Sequence, residues 1–220
     1  MAMTVLDRAR LKQRLQPLAR HQRGAFAVSC AQRLAACFLG SLRVQQERPD
    51  DLRLAEQMLA ELWTAAVTSI PERLGPLVTE LEGMPELTAY EQWQGRGAYQ
   101  THALAAMLYA GRSWEEQSPN YVVQCAQCVF DAALFLDREL DPAPVDPLSE
   151  ETLRALVEGG PAFSDPSGPF QPRELQRQKE DLAAISIADS KIWGEVVAKM
   201  RDASGAYSRE FFMALESTLP

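Results

Sequence analysis

The stretch RHQRGAFAVSCAQRLAACFLGSL, residues 20–42, constrains the fold more than any other part of the chain. Phe26, Cys30, Leu34, Cys37 and Phe38 recur at steps of four, four, three and one, which puts them on a single stripe of an α-helix. A stripe this apolar must be covered by other helices. No segment of four to eight residues shows clean two-residue alternation, so strands are not expected. At 220 residues the chain can bury one good core. The expectation is therefore an all-α, single-domain bundle of antiparallel helices over residues 1–220, with no sheet.

The period predicts a first helix over residues 4–20, with Leu11, Leu15 and Leu18 inward and Thr4 with Asp7 as a capping box. A second spans 22–46 and is stopped by Pro49. Asp50 or Asp51 caps a third, in which Leu52, Ala55, Met58, Leu59, Leu62, Ala66 and Ile70 keep the spacing. Residues 83–97 read as loop. The segments 98–110 and 119–140 are rich enough in alanine and large apolar residues to form the buried middle. Residues 141–172 are a Pro/Gly-rich excursion with one short helix at 149–158. A long helix follows over 173–202, broken near Ser204 and Gly205, and a last one covers 207–217. Phe26, Leu34, Phe38, Trp63, Phe130 and Leu134 are the expected core.

The formal charge of −8 and pI near 4.9 disfavour nucleic acid, whose phosphates call for a basic surface. The charge is also uneven. Residues 1–48 carry nine Arg or Lys against two acids, whereas residues 131–166 carry nine acids against two Arg. Such an acidic end would steer toward a cationic partner. Charges from Asp7 onward and the lack of an apolar h-region argue against a cleaved signal, and no unbroken run of about 18 apolar residues predicts a membrane span. The cytoplasm is the expected location, with the four cysteines as reduced core thiols.

Candidate chemistry is sparse. Cys125 and Cys128 match C-x-x-C but lie inside a predicted helix, without a second ligand pair for zinc or a preceding strand for a redox site. His21 and His102 lack the Glu-x-x-His pairing of a di-iron bundle. Asp137 with Asp141, and Glu80 with Glu82, read as solvated helix ends rather than a Mg²⁺ site. Phosphate-binding glycine loops and nucleophile elbows are missing from the sequence. No catalytic residue, cofactor or metal is therefore assigned. Tyr90, Trp93 and Trp114 fall in or beside predicted loops. With the acids Asp141, Asp146, Glu150 and Glu151 they make the expected contact surface for a partner, aromatic anchors inside an acidic rim. An enzyme or sensor with a pocket around Tyr99, His102 and Asp131 is the alternative.

Three stretches carry a family likeness. They are AFAVSCAQRLAACF (residues 25–38), LAEQMLAELWTAAV (54–67) and HALAAMLYAG followed by YVVQCAQCVFDAALFLD. In these the chain resembles the YjaG-like family of bacterial all-helical proteins, a family of unknown function, over about residues 5–140. Gln32 stands where that family has an acid, Cys125 and Cys128 stand where it favours small polar residues, and the Pro-rich insertion after Asp141 departs from it. The resemblance implies a helical fold and no particular activity. Small size, acidity and the lack of catalytic motifs point to a protein-binding role. The expected partner is a basic protein, most specifically a co-encoded nuclease toxin that an immunity protein would neutralise. Whether a second copy pairs through a helix face is left open by the sequence.

Overall fold

The computed structural model describes residues 7–46, 48–88, 95–141 and 168–218. Its elements are α1 (Arg8–Leu15), α2 (Arg20–Gln45), α3 (Pro49–Thr68), α4 (Leu74–Glu82), α5 (Pro85–Thr88), α6 (Arg96–Glu115), α7 (Pro119–Leu140), α8 (Phe170–Ile187) and α9 (Trp193–Thr218). Among the described residues there is no strand, as the apolar spacing requires.

Helix α2 is the axis of the molecule. α3, α6, α7, α8 and α9 all pack against it, and α7 packs in turn on α6 and α8. The predicted stripe is fully buried, but so are Ala25, Ala27, Val28 and Ala31 on its other sides. The sequence places the middle at α6 and α7; the structure moves it to α2, because a helix apolar on every face has to be enclosed. By length and mean hydropathy (1.4) α2 would pass as a membrane span, but 83% of its most apolar window is buried against the other helices. Small residues let those neighbours approach. A Cβ on Gly24 would lie 2.1 Å from Cζ2 of Trp114, and one on Gly111 would lie 2.4 Å from Cε of Met58, so both glycines are where two helices nearly touch.

Helix ends follow local chemistry. Asp7, rather than Thr4, caps α1 by accepting from the Arg10 N–H at 2.9 Å; Thr4 lies outside the described residues. Pro49 is the first residue of α3, where a missing N–H costs nothing. α6 begins two residues earlier and runs five residues further than predicted. The C-terminal break is also displaced. Asp189 Oδ1 accepts from the N–H groups of Lys191 (2.9 Å) and Ile192 (3.2 Å), which starts α9 there, and α9 then continues through Ser204 and Gly205. A single helical glycine costs only about 1 kcal/mol, less than the buried face of α9 returns. Of the expected core, Phe26, Leu34, Phe38, Trp63 and Phe130 are buried and Leu134 is half-buried; Ile70, expected on α3, lies two residues past its end and is exposed. The short helix expected at 149–158 lies outside the described residues.

Candidate functional site

Of the expected contact surface, Tyr90, Trp93, Asp146, Glu150 and Glu151 lie outside the described residues. Asp141 is exposed at the C-terminal end of α7, its N–H bonded to the Asp137 carbonyl. Trp114 is a correction. Because α6 continues to Glu115, Trp114 falls four residues after Ala110 on the buried face and is 1% exposed. Its ring lies against Gly24, with the Arg20 guanidinium 5.3 Å from the ring centroid and donating to the Trp114 carbonyl. It anchors α6 to α2 and is not available to a partner.

The acidic surplus is also partly spent inside. Asp137 is fully buried and accepts from the N–H groups of Phe170 (2.8 Å) and Gln171 (2.7 Å), capping α8. Burial nevertheless raises its carboxyl above the ordinary range, against the pull of those two N–H groups. Asp131 is half-buried and accepts from Gln127 Nε2 at 2.6 Å. A further acid and aromatic corner, not foreseen, forms where α4 meets the end of α6. Arg112 is held by Glu82 and by Glu115 (2.8 Å), and Tyr121 donates to Glu116 at 2.9 Å. Arg20 and Arg23 flank it, so its charge is close to balanced.

The most organised polar group lies in the core. Arg33, midway along α2 and 1% exposed, pairs through Nε with Glu174 Oε2 (2.9 Å) and through Nη1 with Asp181 Oδ2 (2.7 Å), both on α8. Ser29 donates to the same Asp181 oxygen at 2.7 Å, and Arg33 Nη2 lies 3.1 Å from Cys30 Sγ. Gln178 Nε2 donates to Glu174 Oε1 (2.8 Å) and to the Ala126 carbonyl of α7 (3.2 Å). One cation faces two carboxylates. Burial accordingly pushes the Glu174 carboxyl up, although Arg33 opposes it. Burial works against the Arg33 charge too, but Glu174, Cys30 and Asp181 outweigh it and hold the guanidinium protonated. The network locks α8 onto α2. Its signal in the sequence was a lone arginine on the stripe of the most apolar helix, matched by polar residues at 174, 178 and 181, the i, i+4, i+7 face of a distant one.

The remaining candidates behave as structure. Cys30, Cys37, Cys125 and Cys128 are free and buried. Burial raises Cys125 well above its usual value and pushes Cys128 up to about 12, so neither is a ready nucleophile. Among the described residues no group of three or more His, Cys, Asp or Glu could hold a metal ion. His21 sits edge-on to Trp193, ring centroids 4.7 Å apart. The alternative pocket assembles only in part: His102 and Asp131 are near enough to act on each other's charge, Asp131 working against the fall that burial causes in the His102 pKa, whereas Tyr99 packs toward α9. Tyr99 faces Phe211 of α9, its phenol pushed up by burial and the nearby Glu139 carboxylate, while the His102 ring lies tilted against Phe135 of α7, centroids 5.6 Å apart. Asp131 lines a separate cleft of about 180 Å³ with Arg8, Tyr109 and Cys128.

The chain is thus an all-α protein whose helices enclose one apolar axis crossed by a buried ion network. No protein-family model matches it, and no curated protein matches its sequence. A crystal structure of a DUF416 family protein from Shewanella baltica OS155 is similar, with a TM-score of 0.59 and 17% identity over 87% of this chain and 91% of that one. At that identity the likeness is one of fold, extending over nearly the whole of both chains, and it suggests an uncharacterised family.

Proposed function

We propose that the chain is a divergent member of the YjaG-like family that works by binding protein rather than by catalysis. Its partner is a basic, co-encoded nuclease toxin that it neutralises as an immunity protein. The observation that carries this reading is the charge distribution, a net −8 with nine acids against two arginines over residues 131–166. Asp137 is withdrawn into the core, which leaves the surplus to rest on Glu139, Asp141 and the acids of the excursion. Electrostatic complementarity of this kind speeds capture of a cationic surface. Support also comes from the buried polar groups, since the Arg33 network and the Asp137 cap are engaged within the fold. The test is co-expression with the product of the adjacent gene. The expected result is relief of that product's toxicity and a stable complex on size exclusion. Absence of a complex, together with turnover of a metabolite that His102→Ala abolishes, would establish an enzyme instead.

A further inference from the structure

A cleft of about 180 Å³ lies between α1, α6 and α7. Val123 and Cys128 of α7, both buried, and the half-buried Tyr109 of α6 give it apolar lining. Two opposite charges stand in it, Arg8 at the start of α1 and the half-buried Asp131 of α7. They are not paired with each other. Gln127 lies between them: Arg8 Nε donates to Gln127 Oε1 at 2.9 Å, and Gln127 Nε2 donates to Asp131 Oδ1 at 2.6 Å.

The Gln127 amide shows what the gap accepts. One small planar group, its acceptor toward Arg8 and its donor toward Asp131, is enough to reach from the cation to the carboxylate. Neither charge is used up by it. Among the described residues, Arg8 Nη1, Arg8 Nη2 and Asp131 Oδ2 have no hydrogen-bond partner. Burial raises the Asp131 carboxyl against the pull of Gln127, His102 and Arg8, so the carboxylate is partly desolvated and only partly compensated. A charge in that condition is favoured by a further cation beside it.

We propose that this cleft binds a free α-amino acid with a small apolar side chain. The ammonium donates to Asp131 Oδ2, the carboxylate accepts from the Arg8 Nη groups, and the side chain lies against Tyr109, Val123 and Cys128. An α-amino acid carries its donor and acceptor as close together as the Gln127 amide does, with a full charge on each. The volume falls below the range of about 300–1,000 Å³ for drug-sized ligands, which restricts the occupant to a small molecule. This binding needs no protein partner and stands apart from the toxin reading.

The probe is L-leucine, titrated into the whole protein and followed by amide NMR shifts. Saturable shifts are expected at Val123, Gln127, Cys128 and Asp131. R8Q alters an exposed side chain, and its thermal melt should match the parent. R8Q and D131N should each weaken binding about tenfold or more, the scale of one or two lost charge-assisted hydrogen bonds. L-leucinamide, which lacks the carboxylate, should bind the parent more weakly and be indifferent to R8Q. Isocaproate, which lacks the ammonium, should bind the parent more weakly and be indifferent to D131N. No saturable shift at millimolar L-leucine, or shifts confined to another face, would overturn the proposal. So would equal affinity for L-leucinamide, for isocaproate, or for either variant.

Discussion

Arg33 shows how one side chain can determine the packing of two helices. Taking a guanidinium out of water is tolerated only because Glu174 and Asp181 meet it at 2.9 and 2.7 Å. Replacing Arg33 by Leu leaves two carboxylates buried without their cation. Urea unfolding of R33L should show a loss of about 3–5 kcal/mol, the range for breaking a buried pair from one side. Glu174 gives a second test, through pH. Burial raises its folded pKa above the ordinary glutamate value of about 4.5. The native state therefore holds this proton to higher pH than the unfolded chain does, and the contribution of Glu174 to stability declines as pH rises above about 4.5. Glu174→Gln removes that decline. Between about pH 4 and pH 7 the unfolding free energy of E174Q, relative to the parent, should move in the variant's favour. A constant difference across that range would mean that Glu174 ionises in the fold as easily as in the open chain.

At the level of elements, what the sequence could show depended on range. α2, α3 and α7 were legible because their apolar residues repeat every three or four positions and prolines stand at 49 and 119. The stripe itself was read correctly, but the small residues around it, which allow covering on every side, do not stand out in a periodic pattern. Trp114 was misplaced for a related reason: polar neighbours at Arg112, Ser113 and Glu115 look like the end of a helix that in fact continues. The start of α9 was hidden because a side-chain bond from Asp189 decides it, whereas Ser204 and Gly205 are the more obvious breakers. The pairing of α8 with α2 through Arg33 spans more than 140 residues of sequence and has no local signature. The α2 to α6 contact offers a direct check. Gly24→Ala sets a methyl group 2.1 Å from a Trp114 ring that is itself fully packed, so the helices must separate. A loss of about 1–3 kcal/mol in urea is expected, as for other overpacked sites. Gly194→Ala, where a Cβ meets nothing within 4 Å, should not share that loss.

For the molecule as a whole, the opposition of a basic N-terminal end to an acidic stretch at 131–166 sets how it would meet a partner. Charges at the edge of an interface act mainly on the association rate and on its salt dependence, whereas a buried aromatic anchor acts on dissociation. Lysines at positions 141, 146, 150 and 151 in place of Asp141, Asp146, Glu150 and Glu151 should therefore slow capture of the adjacent gene's product and flatten its dependence on ionic strength. Trp93→Ala should leave the association rate nearly unchanged and raise the dissociation rate. Trp114→Ala is not an informative interface variant, because that ring holds α6 to α2 and its loss would unfold the contact from within. Surface-binding kinetics at two salt concentrations separate these effects. If the lysine variant associates as fast as the parent at both, the acidic stretch serves solubility alone and the interface belongs on another face.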